Sequence, residues 1–269
     1  MTLTDRDSPQ TPKRKGFGLA RLFGRDRSAP VPATLAPDRR VYAIGDIHGR
    51  RDLLDALLDQ VRADDAARGK DGIDTSVVLL GDLIDRGPES AGVVRRAMAG
   101  IDWGTLIVLK GNHEAAMIDG LDTDRDMLRL WLEQGGDAAL ASWGVDEDVI
   151  RDAPLDTLVA AAHAAIPAAE LAWLAARPLS YRCGDYYFVH AGIRPGVPLD
   201  EQTPRDAMWI RDSFLTSTRD HGVMVVHGHT RTIDVEQPGN RIGIDTGAYA
   251  TGRLTALGLE GTDRWIMAT

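Results

Sequence analysis

The chain has 269 residues, 43% of them hydrophobic, a formal net charge of −9 and one cysteine, Cys183. That length and apolar content suffice for one large α/β core. The lone cysteine excludes an internal disulfide framework and fits a reducing, cytoplasmic setting, and no stretch approaches the roughly 20 apolar residues of a membrane span.

Residues 1–40 stand apart. They hold nine Lys or Arg against four Asp, a net of +5, which leaves −14 on residues 41–269, and prolines fall at 9, 12, 30, 32 and 37. This composition predicts a disordered basic tail over 1–40 and a folded body over 41–269. The tail lacks the continuous apolar core and cleavage site of a signal peptide. Its patch from Phe17 to Phe23, set between basic residues, is a candidate contact for anionic lipid or a protein partner. An acidic body argues against a nucleic-acid-binding surface.

Along the body, the run 41–44 is short, apolar and β-branched, the pattern of a buried strand, and leads into Gly45-Asp46-Ile47-His48-Gly49. Leu53, Leu54, Leu57, Leu58 and Val61 then make a helical stripe. The run 77–80 precedes Gly81-Asp82-Leu83-Ile84-Asp85-Arg86-Gly87, and 106–109 precedes Gly111-Asn112-His113-Glu114. Residues 114–178 read as mostly helical and offer no ligand candidates, so they are expected to cap the site. The run 186–189 ends at His190-Ala191-Gly192, and Val225-Val226 ends at His227-Gly228-His229-Thr230. Further strands are expected around Ile242, Leu254 and Ile266.

The residue types at these strand ends suit two cations. Asp46 and His48 present an oxygen and a nitrogen to one ion, and Asp82 bridges it to a second. Asn112 adds a neutral carbonyl oxygen, and His190 and His229 supply imidazoles. The expected sets are Asp46, His48 and Asp82 for one ion, and Asp82, Asn112, His190 and His229 for the other. Oxygen and nitrogen donors without thiolate point to two divalent ions, Mn²⁺ first, with Fe or Zn²⁺ as alternatives.

The order of blocks resembles the phosphoprotein phosphatase branch of the calcineurin-like metallophosphoesterases, especially the lambda-type enzymes. Met117-Ile118-Asp119-Gly120-Leu121, Trp131-Leu132-Glu133-Gln134-Gly135-Gly136, Trp209-Ile210-Arg211 and Ile244-Asp245-Thr246-Gly247-Ala248 extend the similarity over roughly 40–260. The resemblance implies a four-layer α/β/β/α sandwich with two mixed sheets. It also implies a metal-bridged hydroxide attacking phosphorus in line, Arg86 and Arg211 as phosphate-binding residues, His113 as the acid for the leaving oxygen, and Asp85 as its orienting carboxylate.

Phosphodiesterase relatives often carry Gly-His-x-His. Here position 231 is arginine, which favours the monoester branch. The expected activity is a phosphomonoesterase of phosphoserine or phosphothreonine proteins, with dinucleoside polyphosphate hydrolysis as the alternative and a non-catalytic binding module as a third reading. Gly-Asn-His-Glu, where the tetraphosphatases usually carry Gly-Asn-His-Asp, leans toward the first. His227 is expected to support the site or pack in a strand, and His163 and His221 to be bland. Glu114 reads as a first-turn helix carboxylate. Trp131, Trp143 and Trp173 are assigned to the core, whereas Trp209, two residues from Arg211, is a candidate for the site.

Overall fold

Residues 32–269, apart from Lys70, are described by the structure, a computed structural model. Alternation within the strands sets its layers. In β1 (Arg39–Ile44), Val41 and Ala43 face one way, Tyr42 and Ile44 the other, and all four are buried, so both faces of the sheet are covered.

The first sheet has five strands. β1 runs parallel to β2 (Asp74–Leu79), which runs parallel to β3 (Thr105–Val108). The second sheet follows in the chain: β4 (Ser180–Cys183) is antiparallel to β5 (Tyr186–Val189), and β5, β6 (Met224–His227) and β7 (Arg241–Gly243) are parallel. β8 (Thr255–Glu260) returns to lie antiparallel to β1, and β9 (Asp263–Ala268) closes that sheet's other edge. Both sheets are therefore mixed, as expected. β4 is a strand that the sequence pattern did not single out.

Val41, Ala43, Val78, Leu80 and Leu257 meet Tyr186, Phe188, Val226 and Ile242 between the sheets. The opposite face of the first sheet buries Tyr42, Ile44, Val77 and Leu79 against α1 (Arg51–Ala67), α2 (Ser90–Ala99) and α3 (Asn112–Asp122). The stripe Leu54, Leu57, Leu58 and Val61 is the buried face of α1, each residue contributing roughly 1.5–3 kcal/mol by leaving water. Tyr187, Val189 and Val225 pack outward onto Ala207 and Phe214, from α9 (Pro204–Trp209) and α10 (Asp212–Leu215). The order is helix, sheet, sheet, helix.

The middle of the chain forms α4 (Arg125–Trp131), a π turn (Leu132–Gly136), α5 (Asp137–Ser142), α6 (Glu147–Asp152), α7 (Leu155–Ala165) and α8 (Ala168–Ala175). Most of it joins the outer helical layer through Leu128, Leu140, Leu158 and Leu174. Two stretches reach the strand-end loops: 131–136, where Arg86 N–H donates to Gly135 O at 3.1 Å, and 175–178, where Lys110 N–H donates to Pro178 O at 2.9 Å. Among the described residues no single helix is long and apolar enough to cross a membrane.

The tail boundary needs correction. Leu35 is buried, its N–H donates to Gly261 O at 2.9 Å, and β1 begins at Arg39. Arg40, which reads as a solvated charge, is 1% exposed because Asp65 and Glu260 each pair with it at 2.8 Å. The packed body thus starts near residue 33. The disorder and contact expectations for residues 1–31 lie outside the described residues.

Candidate metal centre

The parallel strands of each sheet end at a common edge, and the loops leaving them interlock. Ile47 and His48 N–H groups donate to Asp82 O (3.1 and 2.9 Å), Gly228 N–H to His190 O (2.8 Å), and His229 N–H to the Asp46 carboxylate (3.2 and 2.9 Å). The last contact joins the two sheets. A Cβ at Gly228 would sit 2.0 Å from Asp46 Oδ1, so only glycine permits it.

Backbone strain marks the same place. The non-glycine residues with positive φ among those described are His48, Asp82, Asp85, Arg86 and His229. Every one is a residue expected at the site. Left-handed backbone at such residues costs of order 1–3 kcal/mol each and persists only where the surroundings enforce it.

Two donor clusters share Asp82: His48, Asp82 and His113 in one, and Asp82, His190 and His229 in the other, all buried. In the second, Asn112 Oδ1, His229 Nδ1 and Asp82 Oδ1 lie 2.9, 3.2 and 3.4 Å from His190 Nε2. His190 Nδ1–H donates to Leu80 O at 3.0 Å, which turns its Nε2 toward Asn112, His229 and Asp82. The Asn112 and Asp82 oxygens are acceptors, so positive charge, a proton on Nε2 or a bound cation, is favoured between them. Ligands at ~2.1 Å from an ion are separated by about 3.0 Å in an octahedron and about 3.4 Å in a tetrahedron, so these spacings match the edges of a coordination shell. Among the described residues His229 Nε2, which is buried, has no hydrogen-bond partner. The residues fit a divalent cation.

The first cluster is looser, with His48 Nε2 and His113 Nε2 at 3.7 and 3.8 Å from Asp82 Oδ2. His48 Nδ1–H donates to Ile84 O at 2.9 Å, which fixes its Nε2 as the site-facing acceptor. The Arg86 guanidinium donates to His48 Nε2 (2.7 Å) and His113 Nε2 (3.1 Å), so these donors already gather around a cation. The cluster of His48 and Asp82 takes in His113, which was expected as the acid and not as a ligand, while Asp46 accepts the His229 N–H.

The titration tendencies follow from burial and from Asp82. Burial would raise Asp82, but His190 and His113 outweigh it and hold the carboxyl well below the usual range. Burial likewise opposes charge on His190, yet Asp82 pulls it up to about 9. Burial takes His48 down to about 3 and, with His190 adding to it, His229 down to about 2. Asp46 is raised well above normal by burial and by the neighbouring Asp245.

His113 Nδ1 is 2.5 Å from Asp85 Oδ2, and Asp85 also accepts Trp131 Nε1–H at 2.8 and 3.0 Å. Burial pushes Asp85 up to about 6 in spite of these donors. It also opposes protonation of His113, which Asp82 and Asp85 nevertheless raise above its ordinary value. Arg211, at the start of α10, is exposed, and its charge contributes to the lowering of His229.

Sequence reasoning missed three contributors. Glu114 is fully buried and accepts the N–H groups of Gly111, Asp82 and Leu83 at 2.8, 3.0 and 2.7 Å, clasping the β2 and β3 loops together. Trp131 is core, as expected, and also steadies Asp85. Tyr249 packs edge-to-face with His48 (5.3 Å between centroids) and lies 4.7 Å beneath the Arg86 guanidinium carbon. The one available signal was the N-cap to N3 spacing from Gly111 to Glu114, which lets the Glu114 carboxylate reach back to the Gly111 N–H. Trp209 is half-buried against the core, and His163 caps Leu121 O at 3.1 Å.

Residues 39–254 match a family model described as calcineurin-like phosphoesterase. Among curated proteins, serine/threonine-protein phosphatase 2 of Escherichia coli (strain K12) is 37% identical over 99 residues, 37% of this chain and 39% of that protein. The symmetrical bis(5'-nucleosyl)-tetraphosphatase of Methylococcus capsulatus is 34% identical over 155 residues, 58% and 44% of the two chains. The chain thus spans less than half the length of these relatives. Among solved structures, a putative diadenosine tetraphosphatase superposes with a TM-score of 0.58 at 23% identity, over 88% of this chain and 98% of that one. A cold-active protein-tyrosine phosphatase of Shewanella gives 0.52 at 18%, over 87% and 83%. At such identities these two likenesses speak to the fold.

Proposed function

The chain belongs to the calcineurin-like phosphoesterase family, and on that premise we propose that it hydrolyses phosphomonoesters, with phosphoserine or phosphothreonine of proteins as substrate, in the cytoplasm. The observation that carries this reading is Asp82, shared by two buried donor clusters, one of which includes His113 held by Asp85 and contacted by Arg86. Asp46, His48 and Asp82 would hold one divalent ion, and Asp82, Asn112, His190 and His229 the other. The oxygen and nitrogen donors suit Mn²⁺, with Fe or Zn²⁺ as alternatives. Two bound dications supply Lewis-acid charge for the phosphoryl oxygens and lower the pKa of water into the nucleophilic range.

The chain's own groups do the rest. Arg86, whose fork donates to His48 Nε2 and His113 Nε2, would turn to the phosphoryl oxygens where a cation holds His48 Nε2, and exposed Arg211 would meet them from the His229 side. His113 commits Nδ1–H to Asp85, so a proton on Nε2 makes it cationic; Asp82 and Asp85 favour that form, and the Nε2 proton can pass to the leaving oxygen. Trp131 and Asp85 fix the imidazole plane.

A second reading, hydrolysis of dinucleoside polyphosphates, is supported by the longer alignment to a tetraphosphatase, 155 residues against 99 for the protein phosphatase. Assaying metal-reconstituted protein on phosphopeptides, para-nitrophenyl phosphate, its bis-ester and diadenosine tetraphosphate separates the two. Turnover of the tetraphosphate alone would replace the first reading with the second, and no turnover of any would refute both.

A further inference from the structure

Arg231 stands where related sequences often place a second histidine, and the fold gives it a different use. Its stem lies along Gly247: a Cβ there would be 2.3 Å from Arg231 Cδ, at a residue with φ of +72°. Its Nη1 reaches Tyr249 Oη at 3.5 Å. The same Tyr249 ring carries Arg86 at 4.7 Å and meets His48 at 5.3 Å. One phenol therefore spaces two guanidiniums, with Arg231 at most about 11 Å beyond Arg86 if the ring's own width is added.

The lip that carries Arg231 is tied down. Thr232 N–H donates to Asp245 O at 3.0 Å, Arg253 pairs with Asp234 at 3.1 Å, and Arg50 holds Ala248 O at 3.1 Å while pairing with Asp52 at 2.6 Å. Among the described residues the ion pairs neutralise Arg253 and Arg50, and none includes Arg231. An exposed arginine without a carboxylate, on a fixed lip beside a candidate phosphate centre in an acidic body, is arranged to receive an anion.

We propose that Arg231 and Tyr249 form a second anion subsite, which receives a phosphate linked to the scissile one and so deepens the second reading, hydrolysis of dinucleoside polyphosphates. This rests on the metallophosphoesterase reading for the position of the scissile group. Arg231 and the Tyr249 hydroxyl would donate to the neighbouring phosphate, while Arg86 faces the one cleaved.

The test compares wild type, R231A, R231K and Y249F. With metal-loaded protein, the ratio of kcat/KM for diadenosine tetraphosphate to that for para-nitrophenyl phosphate should fall about ten-fold in R231A, chiefly through KM, recover in part in R231K, and fall less in Y249F. Binding of diadenosine tetraphosphate to metal-free protein, by calorimetry, should weaken by a similar factor in R231A with unchanged thermal stability. An unaltered ratio, or equal weakening toward both substrates, would overturn the subsite. If wild type hydrolyses neither compound but the binding difference persists, the enzymatic reading fails and the subsite stands.

Discussion

Glu114→Gln keeps the shape of a buried side chain and removes half its acceptors. Glu114 Oε2 takes the N–H groups of Gly111 (2.8 Å) and Asp82 (3.0 Å), while Oε1 takes Leu83 (2.7 Å). Glutamine can keep its oxygen on Leu83, but its amide nitrogen then faces two backbone donors. Each orphaned buried donor costs about 1–3 kcal/mol, so two should destabilise by about 2–6 kcal/mol. At 2–4 °C per kcal/mol for a domain of this size, that is a fall in Tm of roughly 4–24 °C.

An opposing effect fixes the pH dependence. Burial, then the charge of Asp82, pushes the Glu114 carboxyl up to about 7. Its folded pKa lies above its unfolded one, so the wild type loses this group's stability as pH rises from about 4.5 to about 7. Glutamine lacks that slope. In metal-free protein the penalty of the substitution should therefore be largest near pH 5 and shrink toward pH 8, whereas cations that neutralise Asp82 should preserve it at pH 8. Urea melts of both proteins from pH 5 to 8, with chelator and with Mn²⁺, give the comparison. A variant as stable as wild type with metal at every pH would refute the clasp.

Asp82→Asn removes the carboxylate common to both clusters and should lower bound metal, measured by elemental analysis, from two ions to fewer than one; His48→Ala should chiefly affect one. Two tightly held ions in Asp82→Asn would reject the shared bridge. His113→Asn should reduce turnover of phosphoserine peptides ~10²–10⁴-fold and of para-nitrophenyl phosphate much less, because a phenolate needs little protonation, while Arg211→Ala should affect both alike. Equal losses for His113→Asn on the two substrates would remove its acid role. Trp131→Phe, which deletes the indole N–H on Asp85, should cost about ten-fold in kcat with little change in KM and move the acidic limb of the pH profile upward; an unchanged profile would leave Trp131 as packing only.

Much of the site was legible because its donors sit at strand ends, where chemistry constrains residue type and spacing together. Asp46, His48, Asp82, Asn112, His190 and His229 come from five such ends and converge. What escaped the sequence depends on distance along the chain. Trp131 meets Asp85 across 46 positions, and Glu114 meets Leu83 across 31. Tyr249 lies in a short helix, Ala248–Thr251, between β7 and β8, and Arg231 in the loop after β6, so their approach depends on how the two sheets pack. Arg40 looks solvent-bound until Asp65 and Glu260 are seen around it.

Local preference is a poor guide where the site overrides it. His48, Asp82, Asp85, Arg86 and His229 adopt left-handed backbone that none of them favours in a free chain. Interlocked strand-end bonds hold them there, from Ile47 and His48 onto Asp82 O and from His229 onto Asp46. Relaxing any of these residues toward ordinary φ would turn its side chain out of the centre. The strain and the convergence of donors therefore have one cause, the need to aim several charged groups at the same few ångströms.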